Sequence, residues 1–225
     1  MKKCLLFIIC MSFSAISLGQ INEIGFFIGG SNYIGDIGRT HYLYPNNLAG
    51  GLIYKWNWNP RIAIRGTLSN LPISGNDKDA ETDYKKNRGY QFNNTINELA
   101  LGLEYNFYDY DISSSEKSAT PYILIEFAAF NYQSVQSVSS TNEIIFTNKT
   151  SFAIPFGVGY KAHLFGPFAY AIEAKVRYTF ENDLDFSTSR YSLLNYGGKG
   201  NDWYAFTGIS LFYTFGRPAC YTQGL

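Results

Sequence analysis

Histidine and cysteine are nearly missing from this chain, which has two of the first and three of the second in 225 residues. That is too little material for a Cys/His metal cluster or a disulfide-stapled scaffold. Charge of a single sign is missing too: 18 Lys and Arg balance 18 Asp and Glu, which argues against nucleic acid or a strongly anionic surface as the main partner. Beyond the first 16 residues no stretch approaches about 18 consecutive apolar residues, so no transmembrane helix follows the opening segment. Amphipathic helical periodicity is absent as well. Aromatic residues, in contrast, make up 18% of the chain.

The opening segment has the layout of a secretion signal. Lys2 and Lys3 are followed by the apolar run Cys4 to Ile16 and by Ser17-Leu18-Gly19, with small residues where a signal peptidase reads. Residues 1–19 are therefore expected to be a cleaved signal peptide, with residues 20–225 as the mature chain beginning at Gln20. An uncleaved anchor helix is the competing reading, but the run is short for a bilayer span. Cys10 does not suggest a lipid-attachment site, because Ile8 and Ile9 before it are too large. With Cys4 and Cys10 removed, only Cys220 remains and no internal disulfide can form.

The mature chain is organised by alternation. From Phe168 to Phe180, one parity carries Phe168, Tyr170, Ile172, Val176, Tyr178 and Phe180, and the other carries Glu173, Lys175 and Arg177. Strand side chains alternate between faces, so this is a ribbon with an aromatic-ended apolar face and a charged face. Comparable segments are predicted at 22–30, 48–57, 61–71, 96–107, 121–132, 151–164 and 202–215, making eight strands. Eight long two-faced strands after a signal point to an all-β fold: an eight-stranded antiparallel transmembrane barrel, its apolar parity against lipid and its charged parity in the lumen. Long polar links at 31–47, 72–94, 133–150 and 181–201 alternate with tight ones at 58–60 and 165–167. This places the long loops outside the cell and both termini in the periplasm. The link 108–120 is a Ser-rich periplasmic turn longer than its position requires.

Lys55, Arg65, Glu98, Glu104, Glu126, Lys161, Glu173, Lys175 and Arg177 fall on the inner parity. An eight-stranded barrel has room inside for little more than side chains, and an unpaired buried ion is costly. These residues are expected to neutralise one another and to plug the lumen. No catalytic group, cofactor or metal site is predicted. His41 falls in the first outer loop and His163 near the periplasmic end of its strand, too far apart to share a site. Gly29 to Gly38 resembles a phosphate loop only superficially, since no Lys-Ser/Thr or helix follows, and reads as a loop with positive-φ glycines. The charge-dense stretch Asp77 to Arg88 reads as a solvated loop tip. After the last strand comes Gly216-Arg217-Pro218-Ala219-Cys220-Tyr221, a stiffened tail with a lone thiol in an oxidising compartment, which suggests a contact with another chain.

Three stretches carry a family likeness: Gly29 to Gly38 (GGSNYIGDIG), Tyr54 to Arg65 (YKWNWNPRIAIR) and Tyr213 to Tyr221 (YTFGRPACY). They resemble the PorG family, the outer-membrane barrel component of the type IX protein secretion system, and the likeness extends over almost the whole mature chain. The resemblance implies a non-enzymatic part of an export machine, in some bacteria one that also supports gliding. It implies association with a periplasmic ring built by a lipoprotein (PorK) and its partner (PorN). Carried to this sequence, it assigns Arg217, Pro218 and Cys220 to the ring contact, beside outer-membrane lipids as the barrel's surroundings. Two other readings stand beside it: a structural barrel or surface adhesin resembling OmpA or OmpX, and a lipid A hydrolase or acyltransferase.

The parity assignment makes a direct prediction. Leu101→Arg or Ile172→Arg should cost roughly 2–4 kcal/mol of folding stability near the bilayer midplane, whereas Ser69→Ala on the inner parity should change little. Urea unfolding in liposomes measures both. A milder effect for Leu101→Arg than for Ser69→Ala would invert the two faces.

Overall fold

The computed structural model describes residues 21–39, 41, 43–111, 118–139, 143–195 and 200–216. The expected signal peptide and the tail residues Arg217, Pro218 and Cys220 lie outside them. Eight antiparallel strands close into a barrel in chain order: β1 (Ile21–Ile34), β2 (Asn47–Asn59), β3 (Ile62–Asn76), β4 (Gln91–Asn106), β5 (Ala119–Val138), β6 (Ile144–Phe165), β7 (Phe168–Thr179) and β8 (Trp203–Phe215). β1 meets β8 from Asn22 opposite Phe215 to Ile34 opposite Trp203, so no strand edge is left unpaired in the ring.

Alternation sorts the side chains as expected. Leu99, Leu101, Leu103, Ile125, Phe127, Phe156, Ile172 and Ile209 are exposed on the outer wall, and the nine predicted inner charges are all buried. At the short-turn end the outer wall ends in aromatic residues such as Tyr54, Tyr105, Tyr160 and Tyr213, the amphipathic rings that suit a membrane–water interface. The lumen is filled rather than open. Gly159 shows how tightly: a Cβ there would collide with the Tyr122 ring, so only glycine lets that ring cross the barrel.

The structure corrects several boundaries. The stretch 133–150 is not a long loop, because β5 continues to Val138 and β6 begins at Ile144, and the two pair from Gln133 opposite Asn148 to Val138 opposite Ile144. Polar composition hid these strands, since above the membrane the outer face of a hairpin meets water instead of lipid and need not be apolar, while the inner face still buries residues such as Tyr132. Pro72 to Asn76 pairs with Gln91 to Thr95 for the same reason. The 22 residues of β6 are about twice the roughly 9–11 a membrane strand needs, so the β5–β6 hairpin stands well clear of the bilayer.

The Gly29–Gly38 stretch is also corrected. Its first six residues belong to β1, and of its glycines only Gly38 has a positive φ, at 81°. Gly29 and Gly30 are there for close approach: a Cβ on Gly29 would meet the Thr207 carbonyl, and one on Gly30 would meet Pro45, where the first outer loop folds against the strand.

Candidate functional site

The lumen holds five buried cations, Lys55, Arg65, Lys161, Lys175 and Arg177, and five buried carboxylates, Glu23, Glu98, Glu104, Glu126 and Glu173. Glu104 on β4 is the centre. Its oxygens receive Lys161 Nζ at 2.6 Å, Lys55 Nζ at 2.8 Å and Arg65 Nη1 at 3.3 Å. Arg65 crosses to Glu173, to which it donates at 2.5 and 3.1 Å, and Tyr122 Oη donates to the same carboxylate at 2.8 Å. Glu126 accepts from Lys175 Nζ at 2.9 Å and Thr67 Oγ1 at 2.7 Å. Nearer the outer end, Glu98 accepts from Arg177 at 3.2 Å and Tyr204 Oη at 2.6 Å. Each of these four glutamates is shared between strands, so the network ties the barrel across its bore.

Sequence reading missed Glu23, which accepts from Asn57 Nδ2 at 2.8 Å. It lies beside Gly25 and Phe27 on the inner parity of β1, where alternation alone would have placed it. The periplasmic link 108–120 is only partly described, yet its first residues are not free. Tyr110 is buried, its amide donates to Pro60 O at 3.2 Å, and its ring stands 4.5 Å from Lys161 Nζ, closing the lower mouth.

A second layer closes the upper mouth. The 77–88 segment is not simply a solvated tip: Asp77 is buried and accepts from Arg88 Nε at 2.7 Å, Gly38 N at 3.0 Å and Tyr90 N at 3.1 Å. Burial by itself would raise the Asp77 carboxyl, but the Arg88 guanidinium and the two amides outweigh it and hold the pKa below the usual carboxylate range. Arg88 Nη2 also donates to Asp36 O at 2.8 Å, so this pair fastens the first outer loop to the second. The short helix α1 (Asp83–Arg88) ends on Gly89 in the left-handed region, with φ 71°.

The fourth outer loop dips into the barrel mouth. Leu184 is fully buried, and its carbonyl accepts from Asn94 Nδ2 at 2.9 Å. Beside it Tyr33 Oη lies 2.6 Å from Asp202 Oδ1 and 3.0 Å from Asp185 Oδ2. One phenolic proton cannot serve two carboxylates at once, which favours a proton on one of them. Burial, then the neighbouring Asp185 charge, pushes Asp202 up to about 8. Burial likewise raises Asp185 to about 6.

The two histidines lie at opposite ends. His41 Nδ1 is 3.2 Å from Glu81 in the outer loops, and His163 Nε2 is 2.6 Å from Gly166 O at a periplasmic turn. They share no site, as expected.

On the outer wall sequence reading missed a belt of amides. Asn70 lies opposite Asn97, Asn97 opposite Asn131 and Asn131 opposite Thr150, so four adjacent strands carry a polar residue at one level. Asn70 Nδ2 donates to Asn97 Oδ1 at 2.8 Å. Across the barrel the corresponding rim is aromatic, with Tyr178 and Trp203 at 5.0 Å between ring centroids. The signal was present, since an Asn on the lipid parity ends the apolar runs of β3, β4 and β5, but the neighbours across strands become visible only with the register.

A closed eight-stranded barrel with an apolar outer wall and a paired-ion lumen defines an outer-membrane β-barrel protein. The chain belongs to the family described as domain of unknown function DUF6089, whose model matches residues 2–224. No curated protein matches it. Among solved structures, it is similar to a major outer membrane protein from Thermus thermophilus, with 12% identity and a TM-score of 0.51 over 87% of this chain and 99% of that one. It is also similar to Ail, the attachment invasion locus protein of Yersinia pestis, solved with the heparin analogue sucrose octasulfate (15% identity, TM-score 0.48, 88% of this chain and 100% of that one). The N-terminal β-barrel domain of Pseudomonas aeruginosa OprF is a third such structure, with 13% identity and a TM-score of 0.47 over 88% and 98%.

The buried charges generate two predictions. Glu104→Gln leaves Lys55, Lys161 and Arg65 short of their shared counter-ion and should cost about 3–5 kcal/mol. Adding Lys161→Met should recover part of that loss, as read by urea unfolding of the single and double variants. The raised Asp185 and Asp202 values mean that the native cap favours protonated carboxyls. Their contribution is complete below about pH 4, the ordinary aspartate range, and is lost as pH rises through about 6 and about 8. Amide protection factors over 183–187 should therefore fall between pH 5 and pH 9, and Asp202→Asn should flatten that dependence.

Proposed function

We propose that this protein is a non-conducting outer-membrane anchor of the type IX secretion apparatus, a barrel of the PorG kind, and not an enzyme. The observation that carries the reading is the sealed bore: a lumen closed by paired ions, Tyr110 below and Leu184 above offers no passage. A barrel without a conduit works through its surfaces. Ile21 and Phe215 lie at the short-turn end, and on this reading that end faces the periplasm, where the tail beyond β8 would emerge. There Arg217, Pro218 and Cys220 would meet a periplasmic ring of a PorK-like lipoprotein and a PorN-like partner, with the 108–120 link beside them. The mature chain would begin at Gln20 after removal of residues 1–19. The three stretches that resemble the PorG family support the same reading.

A second reading, a surface adhesin, draws on the outer loops. Leu43, Tyr84 and Leu193 are exposed there, on loops that the Asp77–Arg88 pair and Leu184 keep in place, and Ile145 is exposed on the β5–β6 hairpin. The two readings separate by experiment. Deleting the gene should abolish secretion of substrates bearing a C-terminal targeting domain while other envelope barrels stay folded, and cross-linking in intact envelopes should capture a periplasmic lipoprotein through Cys220 but not in Cys220→Ser. Continued secretion, with loss of surface binding in a Tyr84→Ser, Leu193→Ser variant, would replace the anchor with the adhesin.

A further inference from the structure

Two cavities on the outer wall meet at the amide belt. The lower one, about 480 Å³, is an apolar depression in the lipid-facing surface, walled by Leu52, Leu68 and Leu99 and floored by Gly50 and Ala129. The upper one, about 360 Å³, opens where β4 and β5 stop pairing above Asn97 and Asn131. There the Asn94 side chain stands in for the missing ladder, donating to Gln133 O at 2.8 Å and accepting from Gln133 N at 3.2 Å. Asn93, Thr95, Gln133 and Asn148 line this cleft, and Asn97 and Asn131 belong to both cavities. Both volumes fall within the roughly 300–1,000 Å³ of small-molecule sites.

We propose that the two cavities form one binding site for a neutral glycolipid of the outer leaflet, its acyl chain in the depression and its sugar head against the amides. The position selects a lipid. The depression faces hydrocarbon, below the level at which the outer parity turns polar, and an unfilled groove there forfeits dispersion contacts that an acyl chain supplies. The lining selects the head. No Lys, Arg, Asp or Glu lines the upper cleft. Glu98 borders the depression, but its carboxylate is turned into the lumen and held by Arg177 and Tyr204. An anionic headgroup would find no counter-ion. Carboxamides offer paired donors and acceptors, the match for sugar hydroxyls. Asn97 accepts from Asn70 and Asn131 donates to Thr150 Oγ1 at 3.3 Å. No hydrogen bond among the described residues uses the Asn97 NH₂ or the Asn131 carbonyl oxygen, which are left for a ligand. The aromatic rim on β7 and β8 lacks this amide row.

The test reconstitutes the protein in phosphatidylcholine nanodiscs containing a monogalactosyl diacylglycerol with a photoactivatable diazirine on its acyl chain, followed by peptide mapping after irradiation. Label should concentrate on β3, β4 and β5 around Leu68, Leu99 and Ala129. Unlabelled galactolipid should compete, and phosphatidylglycerol should not. Ala129→Phe, which fills the depression, and the pair Asn97→Ala with Asn131→Ala, which strips the head contacts, should each reduce labelling there roughly tenfold without changing it on β7 and β8. Heat-shifted gel mobility checks that the variants fold. Label spread evenly around the barrel, equal competition by phosphatidylglycerol, or site labelling unchanged in both folded variants would overturn the proposal.

Discussion

The barrel depends on Glu104. A ring of eight strands brings one face of every strand toward a bore too narrow for bulk water, so any charge on that face must find a partner inside. Glu104 accepts from Lys55, Arg65 and Lys161, which come from three other strands. Through Arg65 the same network reaches Glu173, and through Glu173 and Lys175 it reaches Glu126. Since lipid rewards the outer face only for being apolar, this inner network is what distinguishes one register from another. A one-residue slip of β4 would turn Glu98 and Glu104 into hydrocarbon and Leu101 into the bore.

The same physics explains why both mouths are closed. Ions at the ends of the bore would otherwise border water and lose the low-dielectric surroundings that strengthen their pairing. Tyr110 covers Lys161 from below, and the fourth outer loop brings Leu184 and the Asp185–Tyr33–Asp202 group over the top. Two of the outer acidic clusters behave in opposite ways. Asp77 has a guanidinium and stays ionised, while Asp185 and Asp202 have each other and do not both carry charge easily. Loop anchoring by an ion pair and loop anchoring by a phenol set between two carboxylates thus coexist within one cap.

The outer surface is as asymmetric as the interior is balanced. Amides on β3 to β5 and Thr150 on β6 mark the outer boundary, and aromatic rings mark it on β7 and β8. A uniform bilayer requires no such division, and the polar row is centred where β4 and β5 part company. Two hairpins of different reach diverge at that point, and the wall between them becomes a cleft rather than a sheet.

Much of this was legible residue by residue. Alternation of Leu99, Leu101 and Leu103 with Glu98 and Glu104 determined which face met lipid, how many strands there were and which charges were inside, because period two follows from strand geometry alone. Tertiary structure decided whatever depends on which residues become neighbours across strands. It decided that Asp77 and Arg88, which look like part of a solvated charge run, clasp the first loop. It decided that the polar stretch 133–150 pairs as a hairpin, and that Asn70, Asn97 and Asn131, scattered over some sixty residues of chain, stand side by side. Periodicity is a property of one strand and can be read along it, whereas register and loop docking are set by partners that the chain order does not reveal.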